Sequence, residues 1–150
     1  MKHFTFRLDR VLALRERLEQ ERARELAHAV RDELARRHAV EEASERLDRC
    51  CGIIARLAED GVTAGVLRTL GLARDAAATH VDAARAEHAS AVSAVEDGQS
   101  QFVAARQDRR SVERLREIRH AEWFLQVARH EQSQIDEIVL QRHARGEKTR

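Results

Sequence analysis

The sequence predicts an all-α protein: a long antiparallel two-helix coiled-coil hairpin with a glycine-rich turn near residues 60–72. Three observations carry that expectation. The 150 residues include no proline, so no ring obliges a helix to kink or stop. Apolar residues recur in steps of three, four and seven along two long stretches, the signature of a helix seam. Composition is 43% hydrophobic but only 3% aromatic, which suits a narrow seam better than a layered core. A single coiled-coil domain over residues 1–142 follows, with helices at about 4–59 and 73–142 and a disordered basic tail over 143–150.

In the first helix the seam steps through Phe4, Leu8, Val11, Leu14, Leu18, Leu26, Val30, Val40, Leu47, Cys51 and Ile54. Arg22, Glu33, Arg37 and Ser44 interrupt it, and the change of phase between Leu18 and Leu26 resembles a stutter. Acid and base stand within one turn of each other elsewhere, as in Glu25 with Arg22 and Glu33 with Arg36. Exposed pairs of this kind support a helix by a few tenths of a kcal/mol each.

The reversal is expected in Asp60–Leu72, where Gly61, Gly65 and Gly71 cluster. Glycine costs about 1 kcal/mol relative to alanine inside a helix, so continuous helix is least favoured there. Beyond it the seam resumes as Leu67, Leu70, Ala77, Val81, Ala84, His88, Ala91, Val95, Phe102, Ala105 and Val112, then Leu115, Ile118, Leu125, Ala128, Ile135 and Val139. The first half of this series is rich in alanine, which allows close approach but buries little area per turn. Gly98 falls on the seam, as a point of close backbone approach or a hinge. The tail from His143 has no apolar periodicity.

Composition excludes several function classes. The net charge of +1 sums 27 basic and 26 acidic residues, a mixed-sign surface that names no partner by its field. No interleaved aromatic platform or recognition motif points to nucleic acid. Arg7, Asp9 and Arg10 interrupt the N-terminal apolar run well short of a signal core or a membrane span, so a soluble cytoplasmic protein is expected. Cys50 and Cys51 are adjacent, forming neither a disulfide framework nor a CxxC motif. Cys51 falls on the apolar stripe as a small core residue, and Cys50 is the candidate exposed thiol. No phosphate loop, nucleophile elbow or zinc pattern occurs, and a thin hairpin offers no pocket to desolvate catalytic groups. The reading is therefore of a non-enzyme with no cofactor, no metal and no small-molecule substrate.

With the reversal centred near Val66, Phe4, Phe6 and Leu8 fall level with Trp123, Phe124 and Leu125, gathering four of the five aromatics at the end that carries both termini. Trp123 lies roughly 200° around the helix from Leu125, so one partner helix cannot cover all of this surface. It serves as an aromatic clasp, as a docking surface, or as both. Glu25-Leu-Ala-His28 and Glu117-Ile-Arg-His120 each match the Glu-x-x-His spacing of helical metal sites. His28 would face a residue near position 104, leaving the motifs roughly 24 Å apart along the axis, and Arg24, Arg116 and Arg119 would repel a cation.

The two ends of the chain carry a family resemblance. The opening Phe4-x-Phe6-Arg7-Leu8-x-x-Val11-Leu12-x-Leu14-Arg15, and the later Arg110-x-Val112-Glu113-x-Leu115-Arg116-Glu117-x-Arg119 followed by Glu131-Gln132-x-x-Ile135-Asp136-Glu137-Ile138, resemble the FliJ family of flagellar export-apparatus proteins. The resemblance implies a component of the flagellar type III export machinery, shaped like the central stalk of rotary ATPases. Its implied partners are the hexameric export ATPase, whose assembly it would promote, the membrane-embedded export gate, and export chaperones. It also implies a place at the cytoplasmic face of the membrane at the flagellar base. Carried onto this chain, the ATPase-binding end comprises Phe4, Phe6, Leu8, Val11, Arg110, Glu113, Leu115 and Arg119, with Trp123, Phe124, Glu131, Gln132, Asp136 and Glu137. The turn would meet the gate, with Leu67, Leu70 and Leu72 taken from their place at the tip. The rival readings are the stalk protein of a virulence type III secretion system, a generic cytosolic coiled-coil scaffold or homodimer, and a metal-binding bundle that would need two copies.

Overall fold

The computed structural model describes residues 3–146. The fold is all-helical: two long helices packed against each other, α1 over Asp9–Glu59 and α2 over Ala64–Gly146. No strand occurs among the described residues, and none of their helices is long and apolar enough to cross a membrane. The packing divides into two units, one joining the chain up to Leu18 with the chain from Ala105 onward, the other spanning Glu19–Ala104.

The reversal lies within the expected stretch but is shorter than it. α1 ends at Glu59, Asp60 N donates to Arg56 O at 3.1 Å, and Gly61 takes φ of 78°. A left-handed glycine just past the last helical turn is a common way to end a helix, because without a Cβ the conformation is unstrained. Thr63 O then accepts from Leu67 N at 3.2 Å, which opens α2. Gly65 and Gly71 lie inside α2, although the glycine spacing predicts a turn through Leu72. Interior glycine weakens a helix without forbidding it.

Two further bounds differ from expectation. α1 begins at Asp9, not near Phe4, because residues 3–6 are non-helical and a turn closed by Asp9 N donating to Phe6 O at 3.2 Å precedes the helix. Asp9 places a carboxylate in the first turn, where the helix dipole favours it. α2 continues past the expected end at 142 to Gly146, so part of the expected tail is helical, and Glu147–Arg150 lie outside the described residues.

In the Glu19–Ala104 unit, the covered positions of α1 include Arg22, Leu26, Ala29, Glu33, Val40, Ala43, Leu47, Cys50 and Ile54. Those of α2 include Leu67, Leu70, Ala77, Val81, Ala84, His88, Ala91, Val95, Gly98 and Phe102. Most expected seam residues of α2 in this unit are thus covered, while α1 needs correction: Val30 is 45% exposed, Arg37 is exposed, and Cys51 is exposed where Cys50 is half-buried. Val81 and Ala91 are buried at 3% and 7% exposure, both within the alanine-rich stretch. Beside them Ala39 and Ala43 of α1 and Ala73, Ala76, Ala77 and Ala84 of α2 line an open groove of about 630 Å³.

Three contacts in this unit set the register. A Cβ built on Gly98 would lie 3.4 Å from Leu26 Cδ1 and 3.7 Å from Leu26 Cα, so the backbones approach closely. His88 Nε2 donates to Glu33 Oε1 at 2.9 Å, both side chains being mostly covered. Arg36 pairs with Glu87 beside them. Leu26 therefore meets Gly98, about two helical turns N-terminal of the partner that a reversal at Val66 assigns. The reversal at Gly61 accounts for the difference.

Candidate interaction surface

In the other unit, Phe6 is buried at 7% exposure and Leu12 at 5%. The covered positions continue through Leu8 in the turn before α1 and Leu12, Arg15 and Leu18 on α1. Val11 and Leu14, expected on the seam, are 38% and 56% exposed. The apparent stutter vanishes with this correction, because Leu12, Arg15, Glu19, Arg22 and Leu26 keep alternating four and three residues. A charged residue, Arg15, occupies the position that periodicity assigns to Leu14.

The facing positions on α2 are as polar. Arg15 Nη1 donates to Asp108 Oδ2 at 2.6 Å, Arg116 Nε approaches Asp9 Oδ1 at 3.8 Å, and Arg109, mostly covered, donates to Glu113 at 2.7 Å within its own helix. The apolar residues of α2 leave the face turned to α1 after Val112. Leu115 is 37% exposed, Ile118 46% and Leu125 56%, all placed on the seam by periodicity alone. Steps of three repeated from Val112 to Ile118 rotate the stripe by roughly 60° per step, away from the partner. Ala128, Ile135 and Val139, the remaining expected seam residues, are exposed too.

An aromatic cluster closes the gap. Phe4 meets His120 edge-on, with centroids 5.0 Å apart and planes at 88°, and lies 5.9 Å from Trp123. His120 and Trp123 are 6.0 Å apart. Edge-on contacts between rings add to the area they bury. His120 was missed as a member; its place three residues before Trp123, on the same helix face, was the available signal. The N-terminal segment from His3 to Leu8 forms one wall of an open groove of about 810 Å³, and Leu115, Arg119, Glu122, Trp123 and Gln126 form the other.

The residues expected at this end therefore separate into three groups. Phe4, Phe6, Leu8, Leu115, Arg119 and Trp123 come together around the groove. Val11, Arg110 and Glu113 lie farther along the helix pair, Arg110 exposed and Glu113 tied to Arg109. Phe124, 62% exposed, Gln132, Asp136 and Glu137 stand on open helix surface, and Glu131 is half-covered. Gln132 donates to Asp136 at 3.1 Å and Gln141 to Glu137 at 3.4 Å, both one turn apart. At the turn, Leu67 and Leu70 are half-buried whereas Leu72 is 67% exposed.

Neither Glu-x-x-His motif gathers ligands. Glu25 accepts from Arg22 and Glu117 from Arg114, while His120 packs in the aromatic cluster. Among the described residues no group of three or more His, Cys, Asp or Glu side chains is placed to hold a metal. Arg74 donates to Asp75 through Nε and Nη2 at 3.1 and 2.7 Å, and this hydrogen bonding raises the guanidinium above its ordinary value, leaving it a fixed cation. The exposed surface of the unit that holds the aromatic cluster presents rings, aliphatics and charges.

No curated protein and no solved structure matches the chain. A family model, described as the flagellar FliJ protein, matches residues 3–148. That span includes the aromatic cluster, the groove and both helices, and the family is a non-catalytic one. The chain belongs to the FliJ family and is a component of the flagellar export apparatus.

Proposed function

We propose that this chain binds the hexameric flagellar export ATPase as a central stalk, promotes assembly of the ring, and couples it to the export gate and export chaperones. The observation that carries the reading is an excess of apolar surface at one unit. Leu115, Ile118, Phe124 and Leu125 remain exposed beside the cluster of Phe4, His120 and Trp123, although the helix pair is already closed. Aromatic anchors ringed by charge are the usual currency of protein interfaces. Arg110, Arg119, Asp136 and Glu137 supply exposed charge of both signs around them, which several ring subunits could grip weakly and interchangeably.

The turn takes the gate in this reading, with Leu72 offering its side chain and Leu67 and Leu70 shaping the helix pair beneath it. Membership in a flagellar family favours this apparatus over its virulence counterpart. The deciding experiment measures ATP turnover and ring assembly of the export ATPase from the same organism, with and without the purified chain. Faster turnover with hexamers is expected. Unchanged turnover and no binding, with both proteins folded, would refute the stalk reading.

A further inference from the structure

The C-terminal part of α2 extends beyond the reach of α1. Gln126 is the last α2 residue to line the groove, and from Ala128 to Gln141 every residue is exposed except half-buried Glu131. This segment is nonetheless amphipathic. At 100° per residue, Phe124, Leu125, Ala128, Ile135, Ile138 and Val139 fall within a stripe roughly 140° wide. The large members are 48% to 62% exposed.

The spacing of that stripe reads the same from either end. About the bond between Glu131 and Gln132, Phe124 mirrors Val139, Leu125 mirrors Ile138, and Ala128 mirrors Ile135. Mirror spacing is not required for binding an unrelated helix. It is what two identical helices need when they pair antiparallel about a two-fold axis, because each apolar residue then meets an apolar residue of the other copy. We propose that this segment of α2 pairs antiparallel with the same segment of a second copy of the chain, the axis passing near Glu131 and Gln132.

The flanking charges agree with this arrangement. Arg129 and Asp136 lie on one edge of the stripe, separated by about 20° around the helix. Antiparallel pairing brings Arg129 of one copy beside the partner's Asp136, and symmetry makes the contact twice. At the centre, Glu131 and Gln132 interrupt the stripe, about 100° apart around the helix and so on different edges of the pair. The two Glu131 side chains approach each other near the axis, which opposes association and keeps it weak. Two facing helices over four turns bury about 1,000 Å² or less, the lower end for specific interfaces, so pairing depends on concentration. The inference stands without the stalk reading. Phe124, Glu131, Gln132 and Asp136 belong to both surfaces, however, so self-pairing and ATPase binding exclude one another.

The test is sedimentation equilibrium of the full chain from about 10 µM to about 1 mM, the range of weak specific association. Mass is expected to rise from monomer toward dimer. Arg129→Asp and Asp136→Arg should each weaken association roughly tenfold, since each turns two attractive pairs repulsive, and combining them should restore it. Ile135→Asp should abolish pairing, and Glu131→Leu should tighten it. All these side chains lie on open or half-open helix surface, so unchanged circular dichroism serves as the control for folding. A monomer at 1 mM would overturn the proposal. So would a dimer indifferent to Ile135→Asp, or a charge swap that fails to restore what its single members lose.

Discussion

Phe4, His120 and Trp123 show how few side chains tie the N-terminal segment to α2. Trp123 is the chain's one tryptophan, so its emission reports directly on that contact. Phe4→Ala removes ring contacts at 5.0 and 5.9 Å, and because Phe4 is half-covered the expected cost is about 1–2 kcal/mol, below that of a fully buried ring. A red shift of Trp123 emission should accompany it, and an unshifted spectrum would show that the segment is held by other contacts. Gly61→Ala should destabilise by about 1 kcal/mol, read by urea unfolding. Nothing lies within 4 Å of the added Cβ, so the cost comes from φ of 78° alone. The pair His88 and Glu33 calls for a double-mutant cycle. His88→Leu alone should cost about 1 kcal/mol by stranding a covered carboxylate, whereas adding Glu33→Leu should return stability to the starting value or above it. A loss in the double variant equal to the sum of the two single losses would mean the pair is not coupled.

For the helices themselves, the interior glycines are the clearest lever. A Cβ at Gly52, Gly65 or Gly71 meets nothing within 4 Å, so each change to alanine should stabilise by up to about 1 kcal/mol. If Gly65→Ala and Gly71→Ala instead destabilised the chain, those residues would belong to the reversal and not to α2. The helical elements and the place of the reversal were legible in advance, because proline, glycine and a 3.6-residue apolar rhythm act within a few residues of themselves. The choice of seam residue within each turn was less legible. Leu14 outranks Arg15 on any apolar scale, yet Arg15 is the half-covered residue, and its head reaches Asp108 at 2.6 Å. Val11 against Leu12, and Cys51 against Cys50, fail for the same reason: with apolar residues side by side, periodicity leaves a one-residue ambiguity that only the partner helix removes.

At the scale of the molecule, the proposal that several similar subunits grip one mixed-charge surface makes a salt-dependent claim. Exposed ion pairs weaken as the Debye length falls from about 8 Å at physiological ionic strength to about 3 Å at 1 M. Binding to the export ATPase should therefore weaken between 0.1 and 1 M salt while the apolar contacts keep a residual affinity. Reversing Arg110, Arg119, Asp136 and Glu137 together should lower affinity at low salt by at least tenfold and invert its salt dependence, because salt then screens repulsion. Binding by that variant at full strength would place the ring contact elsewhere on the chain.

Local chemistry was enough to foresee two helices, their antiparallel return at a glycine, an end where aromatics gather, and membership in a family recognised by residues near both termini. These properties depend on steric limits at single residues and on periodicities repeated many times, so they survive small errors of alignment. The packed molecule alone determined the register that sets Leu26 against Gly98, the recruitment of His120 between Phe4 and Trp123, and the exposure of Leu115, Ile118 and Leu125. Those outcomes turn on the position of the reversal to within one helical turn. A displacement of a few residues there changes every partner along both helices, and with them which apolar face is left over for another protein.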